Sequence, residues 1–135
     1  MLFPKKTKYR KAHRGRLKGL ATANTEISFG TFALKALTRA YVNSRQIEAA
    51  RKTLTRYTKK GGKVWIRIFP DKPWTKNAEE IRMGGGKGAV EYYVFGVKPG
   101  CVMFEMDGIP ADQAKEALTL AGYKLPVKTR FITKN

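Results

Sequence analysis

The sequence predicts a small single α+β domain with mixed or antiparallel strands, two helices and a basic extended segment at its amino-terminal end. The chain has 135 residues, of which 42% are hydrophobic, which is enough for one domain with a modest core. Its apolar patterning indicates strands, a helix, strands, a second helix and a last strand. The strands and helices do not alternate as they would in a parallel sheet.

The first 19 residues differ in composition from the rest of the chain. Residues 1–19 contain eight Lys or Arg and no acidic residue, so they cannot bury enough apolar surface to fold alone. We predict an extended segment at 1–19 that becomes ordered on a polyanion, followed by the folded domain at 20–135. Tyr9 and His13 lie among these charges, and their flat rings suit stacking on nucleic-acid bases.

Two short strands are predicted in residues 26–42. Apolar and polar residues alternate there, which is typical of half-buried strands. Gly30-Thr31 interrupts the alternation, as a bulge or bend would. The apolar positions are Ile27, Phe29, Phe32, Leu34 and Ala36.

The first helix is predicted to begin at Asn43-Ser44 and to end at Gly61-Gly62. Asn43, with Gln46 three residues later, matches a capping box, and glycines commonly end helices. The predicted buried stripe is formed by Ile47, Ala50, Leu54 and Tyr57. The remaining surface carries six basic residues and a single acid, Glu48, so the helix repels itself unless it faces an anion. This pattern favours a helix that faces phosphates.

Four further strands and a second helix complete the domain. Alternation predicts strands at 63–68, 89–98, 101–106 and 127–133, with Pro99-Gly100 joining the second and third of these as a hairpin. Pro110 suits the first turn of the second helix and Gly122 its end. Its inward positions are Ala114, Ala117, Leu118 and Ala121. Residues 70–88 are predicted to be one long loop, and loops of this length are usually functional.

The charge of the chain is large and unevenly placed. The chain has 28 Lys and Arg against 10 Asp and Glu, a net charge of +18. Residues 1–90 hold 22 of the basic and 5 of the acidic residues, a net of +17, whereas residues 91–135 hold 6 and 5. This concentration predicts a polyanionic partner for the first two thirds of the chain: nucleic acid, an anionic membrane surface or an acidic protein.

Several classes of protein are excluded by what the sequence lacks. No apolar run approaches the roughly 20 residues of a membrane span, and no secretory signal is recognisable behind the basic start. The single cysteine, Cys101, cannot form an internal disulfide and fits a reducing compartment. Together with the single histidine, His13, it cannot supply a usual zinc site. We expect no metal and no cofactor.

Neither a nucleotide-binding motif nor a catalytic constellation is present. In residues 84–88, Lys87 is followed by Gly88 rather than by the Ser or Thr of a Walker loop, and a strand rather than a helix is predicted to follow. We predict a flexible loop whose glycines let its backbone approach a bulky partner. His13 has no neighbouring Ser or Cys to activate, Cys101 suits a small buried hydrophobe, and Glu79-Glu80 suits a solvated pair. The chain is not expected to be an enzyme.

Several long motifs resemble the bacterial-type large-subunit ribosomal protein sixteen family, in order and over essentially the whole chain. They are Met1-Leu-x-Pro4-Lys5-x-Thr7-Lys8-x-Arg10-Lys11-x-His13-Arg14-Gly15-Arg16, Phe29-Gly30, Ser44-Arg45-Gln46-Ile47-Glu48-Ala49-Ala50-Arg51, Ile68-Phe69-Pro70-Asp71-Lys72-Pro73, Arg82-Met83-Gly84-x-Gly86-Lys87-Gly88, Glu91-Tyr92 and Glu105-Met106-Asp107-Gly108.

The resemblance implies a fold, partners and a location. It implies an α+β domain with a hammerhead-like arrangement of strands, bound to the large-subunit rRNA and to neighbouring ribosomal proteins. It further implies that the chain helps to shape the aminoacyl-tRNA site and contacts tRNA, either in that site alone or in the peptidyl site as well, without catalytic residues. The location implied is the ribosome of a bacterial cytoplasm or of an organelle. We expect neither a membrane partner nor a homo-oligomer.

Charge and resemblance together give two sets of candidate site residues. The predicted rRNA-binding residues are Lys5, Lys6, Lys8, Tyr9, Arg10, Lys11, His13, Arg14, Arg16, Lys18, Arg45, Arg51, Lys52, Arg56, Lys59, Lys60, Arg67 and Lys72. The predicted tRNA-contacting residues are Arg82, Met83, Gly84, Gly85, Gly86, Lys87 and Gly88.

Two other functions fit the charge alone. A free DNA- or RNA-binding regulator would use helix 44–60 for recognition, but a helix-turn-helix needs a second helix within a few residues, and the sequence predicts none there. A peripheral membrane protein would need an apolar face along residues 1–19, which they lack.

Overall fold

The computed structural model describes residues 19–58, 61–75 and 90–134. These residues form two helices and antiparallel strands, so the predicted α+β class is confirmed. In chain order the elements are β1 (Phe32–Ala36), β2 (Ala40–Asn43), α1 (Ser44–Thr55), β3 (Lys63–Ile66), β4 (Lys72–Thr75), β5 (Val90–Val97), β6 (Val102–Asp107), α2 (Ala111–Gly122) and β7 (Thr129–Thr133).

The strands are divided between two sheets. A four-stranded sheet has the order β3-β6-β1-β7, and a three-stranded sheet has the order β2-β5-β4. In the larger sheet, Phe32 of β1 lies opposite Met106 of β6 on one side and Thr133 of β7 on the other. Ile27 and Phe29, predicted as strand residues, precede β1 in an irregular stretch. We call residues 19–31 the connecting segment, because they join the basic amino-terminal residues to β1.

The core lies between the larger sheet and the helices. The two helices pack against each other, and α2 also lies against β1 and β7. Leu34 and Phe104 of this sheet are buried together with Ile47 of α1 and Leu118 of α2 in one hydrophobic cluster. No helix in residues 19–58, 61–75 and 90–134 is long and apolar enough to cross a membrane.

The first helix begins as predicted and ends earlier. The Asn43 side-chain oxygen accepts the Gln46 N–H at 2.9 Å, and the Gln46 side-chain oxygen accepts the Asn43 N–H at 3.0 Å, so the capping box is confirmed. The helix ends at Thr55 rather than at Gly61-Gly62. Tyr57 N–H donates to the carbonyl three residues back, at 3.1 Å, which tightens the chain out of α-helical geometry. Tyr57 is half-buried at the edge of the core.

The second helix agrees closely with its prediction. Pro110 is its N-cap, and the four predicted inward residues, Ala114, Ala117, Leu118 and Ala121, are all fully buried. Gly122 is the last residue of α2 rather than a residue beyond it. A Cβ at Gly122 would lie 2.4 Å from Oγ1 of Thr129 in β7, so a side chain there would require Thr129 to move.

The predicted hairpin between residues 89–98 and 101–106 is wrong. β5 pairs with β2 and β4, whereas β6 pairs with β1 and β3. The turn at Pro99-Gly100 does form, with Cys101 N–H donating to the Lys98 carbonyl at 3.1 Å. After the turn, however, Cys101 pairs with Ala36 of β1, whose N–H donates to the Cys101 carbonyl at 2.8 Å. The strand that pairs with β6 in place of β5 is β1, which is distant in sequence. The chain therefore passes from the smaller sheet to the larger one at this turn.

The predicted loop at 70–88 is wrong at its beginning, because residues 72–75 form β4 and pair with β5. Pro73 has no N–H to donate to a sheet. It is tolerated because β4 is an edge strand, with β5 as its only neighbour in the described part of the sheet. Residues 76–88 of the predicted loop lie outside the described residues.

Candidate nucleic-acid interface

Three exposed basic residues lie in a line along α1. Arg45, Lys52 and the C-cap residue Arg56 are exposed, and their separations of seven and four residues place them within an arc of about 40° around the helix axis. The line is about 16 Å long at 1.5 Å per residue. Ile47 and Leu54, both fully buried, fix the opposite side of α1 against the core. We call Arg45, Lys52 and Arg56 the basic face of α1.

Arg51, also predicted to bind RNA, is partly neutralised within the helix. Its guanidinium forms an ion pair and hydrogen bonds with the Glu48 carboxylate one turn earlier. The Arg51 hydrogen bond lowers the pKa of Glu48, and the same bond raises the pKa of Arg51. Both partners are half-exposed, so the pair stays within reach of solvent. The positive charge offered to a partner is therefore carried by the basic face rather than by Arg51.

Arg67 lies in a different environment from the other predicted cations. Its side chain is only 13% exposed and forms an ion pair with the Glu105 carboxylate, which is fully buried. It also donates to the Asn24 side-chain oxygen at 3.0 Å, and its guanidinium carbon lies 5.0 Å from the centre of the Phe29 ring. These contacts occupy the guanidinium with partners inside the chain.

Glu105 collects hydrogen-bond donors from the connecting segment. One of its oxygens accepts the backbone N–H groups of Phe29 at 2.7 Å and Gly30 at 2.8 Å, and the Ser28 N–H reaches both oxygens at 3.1 and 3.2 Å. Burial alone raises the pKa of this carboxyl, but the donors from Gly30, Phe29, Arg67 and Ser28 outweigh it. The pKa of Glu105 is therefore lowered. The carboxylate fixes the connecting segment to the sheet as an ion.

Sequence reasoning missed this arrangement. Glu105 occurs in an alternating strand, where every second residue commonly faces solvent, and although it belongs to a family-like motif it was not predicted to be a site residue. A signal was nevertheless present: residues 101–106 contain a single charged residue among apolar ones, and a buried acid needs partners. Its cross-strand neighbour Trp65 and the nearby Phe29 were also missed as site residues; their rings stack with centroids 6.1 Å apart.

Lys72 is the remaining predicted cation that the structure describes. It lies on the edge strand β4 and is half-buried, with its ammonium 4.8 Å from the centre of the Tyr41 ring and donating to the Tyr41 hydroxyl at 3.2 Å. The contact crosses the middle strand β5, in which Gly96 lies opposite Tyr41 and Val94 lies opposite Lys72. Lys72 thus lies on an edge strand of the smaller sheet and is not part of the basic face of α1.

The structure leaves the rest of the predicted residues untested. The predicted rRNA-binding residues of 5–18, Lys59 and Lys60 lie outside the described residues, as does the whole predicted tRNA-contacting set, 82–88. Cys101 is buried as predicted, and burial raises the pKa of its thiol. In the part of the chain that the structure describes, no three His, Cys, Asp or Glu residues are grouped as metal ligands would be.

Comparison with known proteins identifies the family. The family model described as "Ribosomal protein L16p/L10e" matches residues 4–132. The chain is 61% identical over 135 residues to "Large ribosomal subunit protein uL16c" of Phaeodactylum tricornutum, covering 100% of this chain and 98% of that protein. It is 58% identical over 134 residues to "Large ribosomal subunit protein uL16" of Trichodesmium erythraeum, with 99% and 98% covered. It is 56% identical over 133 residues to "Large ribosomal subunit protein uL16c" of Physcomitrium patens, with 98% and 96% covered. Matches of this extent along nearly the whole length show that the chain belongs to the ribosomal protein L16p/L10e family.

Proposed function

We propose that this chain is a structural constituent of the large ribosomal subunit, where it binds the large-subunit rRNA and neighbouring ribosomal proteins. The proposal rests on one observation above all. Relatives named as large ribosomal subunit protein uL16 or uL16c match the chain over nearly its whole length at 56–61% identity. Their name describes a component of the large ribosomal subunit, and a structural role there fits the expectation from the sequence that the chain is not an enzyme. The ribosome is accordingly its location, in a bacterial cytoplasm or in an organelle.

The basic face of α1 supplies a mechanism for binding RNA. The carboxylate beside these three exposed cations, Glu48, is paired with Arg51. Arg45, Lys52 and Arg56 are therefore the cations of α1 best placed to neutralise phosphates. Each neutralised phosphate releases condensed counterions, so the affinity falls with salt by about 0.7–0.9 in log–log slope per contact. Contacts of this kind recognise phosphate, sugar and helix shape, since the major groove of A-form RNA is too deep for side chains to enter.

The other predicted contacts extend this interface. The basic residues of 1–18 join the domain at Gly19, where the connecting segment begins, so we infer that they follow the RNA away from the domain. We further infer that residues 82–88 contact tRNA in the aminoacyl site, and in the peptidyl site if they reach it. A net charge of +18 opposes self-association, and we infer that the chain is not a homo-oligomer.

Sedimentation tests the ribosomal assignment. The tagged chain is followed through a sucrose gradient of a cell lysate, before and after a high-salt wash. We expect it at the position of large subunits and whole ribosomes in stoichiometric amount, surviving moderate salt. Recovery at the top of the gradient would instead indicate a free RNA- or DNA-binding protein. That alternative is already weakened, because α1 is followed by β3 and packs against the distant α2, unlike a helix-turn-helix.

A charge variant tests the basic face of α1. Replacing Arg45, Lys52 and Arg56 by Gln should lower the salt dependence of binding to rRNA by about 0.7–0.9 per lost contact. The matched control replaces Lys115, Lys124 and Lys128 by Gln, because these three lysines are also exposed but lie in the nearly neutral last third of the chain. An equal change in slope for the two variants would refute a specific role for α1.

The amino-terminal residues and the 82–88 loop need separate tests. Deleting residues 1–18 should block incorporation into the large subunit, and normal incorporation would contradict an anchoring role for them. Replacing Arg82 and Lys87 by Gln should impair tRNA positioning while the protein stays on the subunit. Loss of the variant from ribosomes would show that this loop binds rRNA instead.

A further inference from the structure

An aromatic ring lies exposed on the outer surface of the larger sheet, supported from below. Phe29 is 58% exposed, although its ring stacks on Trp65 with an angle of 20° between the planes and lies over the Arg67 guanidinium. Trp65 and Arg67 are two residues apart on an extended chain, so both project from the same side of it. Phe29 therefore contacts both, and more than half of its surface remains exposed to solvent.

The position of this ring is fixed by the backbone around it. The Glu105 carboxylate accepts the N–H groups of residues 28–30, and Gly30 passes so close to β6 that a Cβ there would lie 2.5 Å from the Met106 carbonyl oxygen. Arg67 connects the same carboxylate to Asn24, earlier in the connecting segment. The ring is thus held in place before any partner arrives, and a contact with its exposed surface costs little further conformational entropy.

A flat, exposed ring backed by a guanidinium suits an unpaired nucleobase. Bases present planar faces that stack on aromatic side chains, and this contact tolerates any base because each has such a face. The connecting segment that carries Phe29 also leads back to the eight cations of residues 1–18. An RNA strand that follows those cations to the domain arrives at the same segment.

Building on the proposed binding of rRNA, we propose that Phe29 is a stacking platform for one unpaired base of the large-subunit rRNA. Arg67 and Glu105 are positioning residues for this platform. Arg67, predicted from its charge to bind phosphate, acts through Phe29 and the connecting segment rather than on the RNA backbone.

The test measures binding of the full-length protein to large-subunit particles that have been stripped of it, over a range of salt concentrations. Phe29→Leu keeps an apolar side chain but removes the ring, and Phe29→Tyr keeps the ring. We expect Phe29→Leu to bind about 5- to 150-fold more weakly, by the same factor at every salt concentration, and Phe29→Tyr to bind like the unaltered chain. Tyr123→Leu is the matched control, since Tyr123 is 77% exposed on the nearly neutral part of the chain.

Each outcome separates this proposal from the broader one. If the unaltered chain does not bind the stripped particles, the proposed function fails. If it binds and Phe29→Leu binds equally well, the stacking platform alone is refuted. Equal losses in Phe29→Tyr or in Tyr123→Leu would also refute it.

A second measurement does not depend on the stability of any leucine variant. p-Azidophenylalanine at position 29 should crosslink on irradiation to an unpaired base of the large-subunit rRNA. A crosslink to a ribosomal protein alone, or no crosslink in particles that contain the variant, would overturn the proposal.

Discussion

Replacing Glu105 by Gln should destabilise the folded chain by about 3 kcal/mol at pH 7. The substitution keeps the size of the side chain and changes only its charge and one hydrogen-bonding atom. Glu105 is fully buried, and its carboxylate accepts bonds from Ser28, Phe29, Gly30 and Arg67. The amide of Gln has one oxygen with which to replace two, so its NH₂ group must face at least one of these donors.

The magnitude follows from the burial of the two charges. Removing one partner of a buried ion pair costs about 3–5 kcal/mol, chiefly because the other charge is left without compensation. The lower end of that range applies here. The Arg67 side chain is 13% exposed to solvent, and in the variant its guanidinium would still donate to the Asn24 side-chain oxygen, now at 3.0 Å. Both would partly compensate its charge.

The pH dependence gives a second, independent signature. Folding lowers the pKa of Glu105, so its ionised form stabilises the native state above the pKa of unfolded glutamate, about 4.3. That contribution is lost as the pH falls through the lowered pKa of the folded protein. The difference in stability between the unaltered chain and Glu105→Gln should therefore be constant from about pH 7 to about pH 5 and shrink below about pH 4.3.

Urea denaturation followed by tryptophan fluorescence measures both quantities. The control is Glu48→Gln, which also removes a carboxylate paired with an arginine, but at a half-exposed site on α1 where little stability is expected to be lost. A loss of less than about 1 kcal/mol in Glu105→Gln, below the cost expected for an uncompensated buried charge, would refute the reasoning. So would a difference from the unaltered chain that does not depend on pH.

Three further predictions concern stability and are measured by the same denaturation. Gly30→Ala should cost about 1–3 kcal/mol, because its Cβ would lie 2.5 Å from the Met106 carbonyl oxygen; full stability would show that the connecting segment can shift. Asn43→Ala should cost about 0.5–2 kcal/mol by removing the capping box with Gln46, and no loss would mean that the cap is dispensable. Leu118→Ala should cost about 2–5 kcal/mol, since Leu118 is fully buried between α2 and the sheet; a smaller loss would indicate that the site collapses around the cavity.

Local patterns predicted the elements well and their partners poorly. The capping box at Asn43 and the four inward residues of α2 depend on neighbours within one or two helical turns, and the structure confirms them. The hairpin at Pro99-Gly100 was wrong because a turn signal specifies a reversal of the chain and not the strand that then pairs with it. β4 was missed because Pro73 argues against a strand, unless the strand is known to lie at a sheet edge.

In the candidate interface, likewise, the sequence predicted which residues are charged but not which of them are paired within the chain. A sequence counts Arg51 and Arg67 as cations equal to Arg45, Lys52 and Arg56, but the fold gives the first two carboxylate partners within the chain. Burying an ion pair is expensive unless its geometry is well satisfied, and here the pair with Glu105 also holds three backbone N–H groups of the connecting segment. That carboxylate therefore converts one unit of the positive charge from a binding group into a structural one. The basic amino-terminal residues therefore start from a fixed position on the domain, because the connecting segment that follows them is already hydrogen-bonded to the sheet before RNA binds.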